Sequence, residues 1–391
     1  MNQPIRRKII ETHDIKPKPF YTLIVDGNNL FKIAISADKR VNRNGDEVGG
    51  IFQFLLQLKI MLSKRDFEHC YVMWDGNQSG QLRYQIYQDY KANRDKHYEL
   101  KSESDYDKNI NDFVKRTMAF YNGKNVKEID NTKYKETEEE CFDRQKEIVM
   151  KCLEELFIRQ VISDEVEGDD LIAYYVNHKK DNEKIIIMSG DRDLTQLIAD
   201  DVCVYVPSLK MGIVPENHVS VMGYRHENVL LKKMICGDSS DNIKGIKGMG
   251  EETFFKLFPE VKEREVTLEE ILERSKSLLD ERIKNKKKPL KTLENILNRV
   301  TTGSQGKDIF EINKKIINLK EPLLTKEAIE QMENIMYAPI DPEGRSIANL
   351  YQIIMSADIV DLIDDNRFST FFSTFNRIID KEKKYYEKNN K

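Results

Sequence analysis

The sequence predicts an α/β fold built around a mostly parallel sheet, and two observations lead to that class. Continuous apolar runs occur in "TLIVDGNN", "CYVMWDGNQ" and "KIIIMSGDRD", and such runs suit strands that are covered on both faces. Amphipathic helical patterns lie between these runs along the chain. Alternation of strand and helix is typical of a parallel sheet flanked by helices.

The predicted elements follow one another in a regular order. The first strand ends at Asp26, the second ends at Asp75, and the third is followed by Asp191 and Asp193. Helical patterns cover residues 49–64, 142–157 and 169–176, and a further strand is predicted at 201–207.

Composition bounds the class of protein. The chain has 391 residues, enough for two or three domains, and 33% of them are charged, with a formal net charge of −4. A near-neutral total does not exclude nucleic acid, because local patches of charge govern that binding. The five cysteines are scattered without zinc spacing, and no uncharged apolar run of about 18 residues occurs. We therefore expect a protein with reduced thiols and no membrane span, located in the cytoplasm of a bacterium or of a phage-infected host.

Acidic residues follow three of the predicted strands: Asp26, Asp75, Asp191 and Asp193. The carboxyl ends of parallel strands share one edge of the sheet, and ligands bind there. Any one of these residues could be an ordinary turn aspartate, since Asp-Gly is a common turn pair. Acids from several segments at one edge indicate instead a shared ligand with a strong positive charge.

The stretch "VISDEVEGDDLIAYYV" (161–176) adds four acids just before an apolar helix: Glu165, Glu167, Asp169 and Asp170. One or two acids would serve as a helix cap and complement the helix dipole. Four within six residues exceed that need, because like charges at about 4 Å repel by about 1 kcal/mol in water and about 4 kcal/mol near a protein surface. We expect this helix start to face the same edge of the sheet.

The missing residue types indicate which cation the acids bind. The six histidines fall outside these motifs, and oxygen-only ligation fits Mg²⁺ or Mn²⁺. Two such ions activate water in phosphodiester hydrolysis. A haloacid-dehalogenase-type phosphatase would require Asp-x-Asp after the first strand, but Asp26 is followed by Gly27 and Asn28.

A basic stretch with interleaved tyrosines, "QLRYQIYQDYKANR", directly follows the second strand. If this stretch is helical, Arg83 shares a face with Tyr87 and with Tyr90 or Lys91. A surface that combines cationic side chains with aromatic rings is suited to bind a single strand of nucleic acid whose bases are splayed apart. The alternative is a solvated helix with tyrosines packed beneath it.

A glycine-rich segment, "MICGDSSDNIKGIKGMGEETFFKLF" (234–258), predicts a tight hairpin at 245–250 and a helix that starts near Glu251. Backbone N–H groups in such hairpins bind phosphate without the help of a charged side chain. A hairpin of this kind can therefore bind the backbone of a duplex whatever its base sequence. Asp238 and Asp241 lie three residues apart just before it, a spacing that presents two carboxylates on one side of a turn.

At these residues the chain resembles the 5′-nuclease superfamily, which includes flap endonucleases, the 5′-nuclease domain of bacterial DNA polymerase I and the ribonuclease H of T-even phages. The matching segments are "IVDGNN", "WDGNQSGQLRYQIYQDYKANR", "EVEGDDLIA", "IMSGDRDLTQL" and "CGDSSDNIKGIKGMGEET", in the order of the family. The resemblance implies a PIN-like catalytic core at 1–228 with an enlarged arch at 95–141. It also implies a helix–hairpin–helix duplex-binding element at 229–260, followed by a divergent, mainly helical region at 261–391.

The resemblance also implies roles for individual residues. The metal-site acids would be Asp26, Asp75, Glu167, Asp169, Asp170, Asp191, Asp193 and Asp241, with Asp238 more peripheral. Lys91 and Arg94 would contact the scissile phosphate, Tyr90 would stack near the terminal nucleotide, and Arg83 would hold the strand. The duplex would be gripped by Gly245, Ile246, Lys247, Gly248, Met249 and Gly250, with K⁺ bound to their carbonyl groups. Glu165 has no clear counterpart in the family.

The implied activity is that of a Mg²⁺-dependent, structure-specific 5′→3′ exonuclease and 5′-flap endonuclease that removes primers or flaps in DNA replication. Its expected partners are branched or nicked duplex DNA and RNA–DNA, with a sliding clamp or single-strand-binding protein, and the expected state is a monomer. Two alternatives stay open: a PIN-type ribonuclease acting on single-stranded RNA, and a non-catalytic junction-binding scaffold.

The C-terminal third departs from the compact family pattern. The basic run "RIKNKKKPLK" (282–291) either touches duplex phosphate or forms a solvated loop. Residues 351–379 are helix-like, and "DKEKKYYEKNNK" (380–391) predicts a frayed tail. The stretch "FEINKKIINLKEPL" is similar to the T-even phage enzyme, which favours a phage origin.

Overall fold

The computed structural model describes residues 18–93, 136–359, 363 and 367–390. Within them the helices and strands are, in order, β1 (Phe20–Asp26), α1 (Gly27–Ala37), α2 (Gly49–Lys64), β2 (His69–Asp75), α3 (Gln81–Ile86), α4 (Glu138–Glu155), β3 (Arg159–Ser163), α5 (Gly168–Asn177), β4 (Glu183–Met188), β5 (Val202–Val206), β6 (Met211–Ile213), α6 (Pro215–Met222), α7 (Val229–Cys236), β7 (Gly237–Asp238), β8 (Ile243–Lys244), α8 (Glu251–Leu257), α9 (Leu268–Lys284), α10 (Lys291–Leu297), α11 (Ile309–Ile317), α12 (Lys326–Ile335), α13 (Ile347–Ser356), α14 (Phe368–Phe372) and α15 (Asn376–Asn389). The predicted arch at 95–141 lies outside the described residues, apart from 136–141.

The main sheet has six strands in the order β3-β2-β1-β4-β5-β6, and all pairs are parallel except that β6 runs antiparallel to β5. Leu23, Ile24 and Val25 of β1 are fully buried, as expected of a strand covered on both faces. The predicted α/β fold with a mostly parallel sheet is confirmed. Strand β3 was not predicted, because its sequence opens with Arg159 and Gln160 and lacks a continuous apolar run.

Two apolar clusters cover the faces of the sheet. On one face α1, α2 and α4 pack around Phe54 and Trp74, and residues of α13, α14 and α15 join the same cluster. On the other face α5 and α12 pack around Tyr175 and Met332. A third cluster packs the five helices α7, α8, α9, α10 and α11 around the glycine hairpin. Phe254 of α8 is one of its members.

Residues 261–391, which were predicted as one divergent and mainly helical region, contribute to all three apolar clusters. Helices α9 to α11 contribute to the hairpin cluster, α12 covers one face of the sheet, and α13 to α15 cover the other. Apolar residues that occur late in the chain thus complete layers begun by early ones.

The predicted frayed tail is instead the last helix, α15. Glu382 is fully buried there, where it pairs with Arg159 of β3 and lies 3.0 Å from the Nδ1 atom of His69 of β2. The prediction was wrong because the helix depends on partners more than 200 positions away along the chain, which a charged local sequence does not reveal. Among the described helices, none is long and apolar enough to cross a membrane.

The basic stretch after β2 also differs from its prediction. Helix α3 ends at Ile86, and turns follow through residues 88–93, with Lys91 in the left-handed backbone region at φ 54°. The N–H of Lys91 donates to the carbonyl oxygen of Asp241 over 2.8 Å. This long-range hydrogen bond docks the stretch against the loop that leads to the hairpin.

Candidate active site

Four aspartates meet at the carboxyl edge of the sheet, and we call them the acid cluster: Asp26, Asp75, Asp169 and Asp191. Asp26 and Asp75 end β1 and β2, Asp191 follows β4, and Asp169 lies in the first turn of α5. The charges of Asp75 and Asp191 act directly on Asp26, and all three of these acids act on Asp169. The structure therefore brings together the strand-end acids that the sequence predicted would converge.

Local hydrogen bonds orient Asp26. The backbone N–H of Asn29 donates to its Oδ1 atom over 3.1 Å, and the Ser189 hydroxyl donates to its Oδ2 atom over 2.7 Å. The same hydroxyl accepts a hydrogen bond from the N–H of Asp191 over 2.9 Å. Ser189 thus ties the end of β1 to the loop after β4.

Asp75 caps the helix that carries Asp169. The N–H of Gly168 donates to Asp75 Oδ1 over 2.8 Å, and a Cβ atom at position 168 would lie only 3.2 Å from that oxygen. Glu167, the N-cap residue of α5, makes no side-chain capping bond of its own. The acids before this helix are therefore not explained by local capping, since the cap comes from another strand.

Burial and mutual repulsion disfavour full ionisation of the acid cluster. Burial, followed by the charge of Asp75, raises the pKa of Asp26 from 3.8 to about 7. Burial and the charges of Asp26 and Asp191 raise the pKa of Asp169 well above its usual range. At neutral pH these carboxyl groups need a counter-charge to ionise together.

Ion pairs among the described side chains do not supply that counter-charge, although the charges of Lys146 and Asp75 interact. Across residues 18–93 and 136–359, no lysine or arginine forms an ion pair with a member of the acid cluster. Lys146 donates to the carbonyl oxygen of Asp75 over 3.4 Å rather than to its carboxylate, and Arg192 is exposed. Oxygen ligands without a protein cation fit a hard divalent ion such as Mg²⁺ or Mn²⁺.

A second acidic group lies beside the acid cluster, and its members are Asp193, Asp238 and Asp241. One carboxylate oxygen from each lies within 4.8 Å of the others. Lys233 of α7 pairs with both Asp193 and Asp238. Burial raises the pKa of Asp193 to about 6 although Lys233 opposes the shift. Burial also opposes ionisation of Asp238, but the charge of Lys233 and hydrogen bonds from Lys233 and Ser240 together lower its pKa to about 2.

Glu167 connects the helix start to the basic stretch. It is buried, Lys91 Nζ lies 2.5 Å from its Oε1 atom, and the Tyr90 hydroxyl donates to it over 3.1 Å. Burial opposes its ionisation, but the charges of Arg83 and Lys91 outweigh burial and lower its pKa. Glu167 is thus an ionised acid with protein partners, unlike the members of the acid cluster.

Arg83 and Asp170 form a buried ion pair rather than exposed functional groups. Arg83 Nη1 lies 2.5 Å from Asp170 Oδ2, and its Nε–H donates to the carbonyl oxygen of Ile316 over 2.9 Å. The remaining Asp170 oxygen accepts from Arg83 and from the N–H of Leu323 over 3.0 Å. The structure therefore assigns Asp170 to Arg83 rather than to the metal group, and it leaves Arg83 no surface for holding a strand.

Tyr90 also differs from its predicted position. Its ring is 1% exposed and its hydroxyl points to Glu167, so no free face is available for stacking on a nucleotide. The tyrosine packs beneath the basic stretch, as in the alternative weighed from the sequence. Arg94 lies outside the described residues, and Glu165 is half-buried in the turn that precedes α5.

The glycine hairpin divides into anchoring and exposed residues. Ile246 and Met249 are buried in the third apolar cluster, which fixes the loop to α8. The exposed positions are Lys247, Gly248 and Gly250. At Gly245 the chain passes so close to Cys236 that a Cβ atom would lie 2.2 Å from its backbone carbonyl. The hairpin is therefore a rigid loop that presents mainly backbone to solvent.

Two positions that contact these acids were missed from the sequence. Lys233 lies between two acids of the second group, and Ser189 bridges Asp26 and the loop of Asp191. A lysine five residues before Asp238 in an amphipathic helix gives no signal of that contact. Ser189 in "IMSGDRD" lies at the end of a strand just before an acid-rich loop, and this position could have identified it from the sequence.

The fold is that of the PIN-like 5′ nucleases, in which a mostly parallel sheet carries acids at its carboxyl edge. Residues 21–229, more than half of the chain, match the family described as 5′-3′ exonuclease, N-terminal resolvase-like domain. The protein belongs to this family, and the resemblance identified from the motifs is confirmed at that level.

Two curated relatives from Bacillus subtilis are similar over about two thirds of the chain. DNA polymerase I is 26% identical over 269 residues, which cover 67% of this chain and 26% of the polymerase. A 5′-3′ exonuclease is 28% identical over 262 residues, which cover 64% of this chain and 72% of the relative. The chain thus spans about a quarter of the polymerase.

Among solved structures, the bacteriophage T5 D15 flap endonuclease in a complex with DNA and metal ions has a similar fold. The TM-score is 0.53 at 16% sequence identity, and the match covers 93% of this chain and 99% of the phage protein. At that identity the likeness supports the fold alone.

Proposed function

We propose that this protein is a divalent-metal-dependent, structure-specific 5′ nuclease that acts as a 5′→3′ exonuclease and a 5′-flap endonuclease on branched or nicked duplex. The observation that carries the proposal is the acid cluster. It gathers four carboxylates from separate segments in a member of a 5′-3′ exonuclease family, and among the described residues none of the four forms an ion pair with a lysine or arginine.

The two acidic groups are suited to hold two Mg²⁺ or Mn²⁺ ions. Asp26, Asp75, Asp169 and Asp191 would hold one ion, and Asp193, Asp238 and Asp241 would hold the other. Bound divalent ions of this type supply an activated water and stabilise the leaving oxygen of a phosphodiester. Lys233 already neutralises part of the second group, so that group needs less charge from a metal.

Lys91 supplies a positive charge beside Glu167, the residue that precedes the helix carrying Asp169. Its side chain is 18% exposed, its ammonium contacts Glu167, and its backbone is fixed to the Asp241 carbonyl. A cation held beside the acid cluster can contact a phosphate there and stabilise the negative charge that develops as the ester bond breaks. We assign this role to Lys91, together with Arg94 as implied by the family motif.

The hairpin at 245–250 is suited to bind the duplex part of the substrate. Backbone N–H groups of exposed glycines can approach phosphates closely, and this contact does not depend on base sequence. Gly245 and Lys247 offer carbonyl oxygens that accept hydrogen bonds from Thr301 and Asn295. A K⁺ ion at this loop is part of the proposal, and it would share those oxygens with the side-chain donors.

Cleavage of a labelled 5′-flap duplex in Mg²⁺ tests the proposed function. The wild-type protein should release the flap, and Asp191→Asn should lower the rate by at least about 100-fold because it removes a strand-end carboxylate. Asp181→Asn is the matched control, since Asp181 is exposed in the turn before β4 at the other edge of the sheet.

The same assay separates the alternatives. An intact flap after incubation with wild-type protein would favour a non-catalytic junction-binding scaffold. Faster cleavage of single-stranded RNA than of the flap duplex would favour a PIN-type ribonuclease. Equal rates for wild-type protein and Asp191→Asn would remove the acid cluster from the reaction.

A further inference from the structure

A strongly basic turn joins α9 to α10, and it is the run 282–291 for which the sequence left open either duplex contact or a solvated loop. The segment 282–291 contains six cations and no acid, namely Arg282, Lys284, Lys286, Lys287, Lys288 and Lys291. The four lysines at 284–288 and Lys291 are exposed. Within the part of the chain that the structure describes, none of the six forms an ion pair with a carboxylate.

The backbone of this basic turn is fixed by hydrogen bonds. Lys286 has a left-handed φ of 53° and its N–H donates to the Ile283 carbonyl oxygen over 3.0 Å. The N–H of Lys287 donates to the Arg282 carbonyl oxygen over 2.8 Å, and Arg282 Nε donates to the carbonyl oxygen of Lys288 over 3.1 Å. These bonds match the Schellman pattern that ends a helix in one defined conformation. The backbone positions that carry these exposed lysines are therefore fixed relative to one another.

The basic turn leads directly into contacts with the glycine hairpin. Thr292 Oγ1 lies 3.5 Å from the position that a Cβ on Gly248 would occupy, and Asn295 Nδ2 donates to the Lys247 carbonyl oxygen over 2.8 Å. Ile296 of α10 shares an apolar cluster with the anchoring residues of the hairpin. The turn and the hairpin consequently belong to one packed unit, and Lys291 is adjacent in the chain to a residue that touches the hairpin.

Clustered lysines without acidic partners repel one another, and a bound polyanion removes this repulsion. Duplex nucleic acid bears about one negative charge per 1.7 Å of its axis, and lysines that neutralise its phosphates release condensed counter-ions. We propose that the basic turn binds the phosphate backbone of the same duplex that the hairpin grips, and thereby lengthens the duplex-binding surface. This inference rests on the proposed function for the identity of the duplex.

The salt dependence of binding tests the proposal. The dissociation constant for a fluorescent 5′-flap duplex is measured with EDTA between 50 and 200 mM KCl, for the full chain and for the triple variant Lys284→Gln/Lys287→Gln/Lys288→Gln. The logarithm of the dissociation constant rises with the logarithm of the salt concentration, and each lost phosphate contact should lower this slope by about 0.9. The loss of three contacts should lower it by up to about 2.7. The wild type should then lose up to about 40-fold more affinity than the variant across that salt range.

Two matched variants control for charge and folding. Lys383→Gln/Lys384→Gln/Lys388→Gln removes three exposed lysines from α15, which packs on a face of the sheet, and should leave the slope at the wild-type value. Replacement of the three turn lysines by arginine keeps the charge and should restore the wild-type slope.

A slope for the glutamine variant within about 0.5 of the wild type would overturn the proposal and leave the turn to another partner such as an acidic protein. An equal loss of affinity for a single-stranded oligonucleotide would also overturn it, since the surface would then not be specific to duplex. Because binding is measured without metal, these outcomes are independent of flap cleavage, whose absence would instead overturn the proposed function.

Discussion

Asp26 offers the sharpest test of the electrostatics of the acid cluster. Its pKa is raised from 3.8 to about 7, first by burial and then by the charges of neighbouring acids. The folded, metal-free protein therefore binds this proton more tightly than the unfolded chain does. The contribution of protonated Asp26 to the free energy of unfolding is therefore fully present below about pH 4, and it is lost as the pH rises through about 7.

The loss can be worked out from the size of the shift. About three pH units, at about 1.4 kcal/mol each, amount to about 4 kcal/mol of unfolding free energy at pH 8. Asp26→Asn removes the charge and retains an oxygen that can accept from Asn29. We therefore expect the variant to be more stable than the metal-free wild type by about 2–4 kcal/mol at pH 8, and by about 1 kcal/mol at pH 4.5.

Urea denaturation followed by circular dichroism, with EDTA at both pH values, measures this difference. Asp181→Asn serves as the control, because its carboxylate is exposed and remote from the acid cluster. Mg²⁺ added at pH 8 should raise the stability of the wild type more than that of Asp26→Asn, since a ligand that binds the folded state stabilises it by mass action. A variant no more stable than wild type at pH 8, or an equal gain at both pH values, would refute the reasoning.

Three further predictions concern groups outside the acid cluster. Arg83→Met should destabilise the protein by about 3–5 kcal/mol in urea denaturation, because it leaves Asp170 buried without its partner, and the double variant with Asp170→Asn should recover part of the loss. Gly245→Ala should strain the hairpin by about 1–3 kcal/mol and weaken flap-duplex binding measured by anisotropy, whereas Gly212→Ala on the edge strand should bind as wild type does. Glu382→Ala should lower the thermal midpoint by an amount equivalent to about 3–5 kcal/mol, since its arginine partner stays buried; an unchanged midpoint would mean that the last helix is not anchored.

The sequence was most informative where local pattern and position coincide. Continuous apolar runs identified three strands of the sheet. The acids that end or follow these strands lie at its carboxyl edge, as predicted. The helix 49–64 was predicted with the bounds that the structure shows. The rule that parallel strands share one edge was enough to bring Asp26, Asp75 and Asp191 together without any knowledge of distances.

Local pattern was misleading where a charged residue has a distant partner. Arg83 and Tyr90 have the composition of a nucleic-acid surface, but burial assigns them to Asp170 and Glu167. The final helix was predicted to fray because its sequence is highly charged, and it folds because Glu382 meets buried groups of two strands. Such pairings depend on which segments pack together.

The sequence by itself determined three strands of the sheet, the acids that follow them and the glycine hairpin, because each is set by residues adjacent in the chain. The tertiary structure alone decided which acids keep a protein partner and which do not. It also decided that the basic turn adjoins the hairpin. The physical reason is that burial and charge pairing arise between segments far apart in sequence, whereas hydrophobic periodicity and turn chemistry are local.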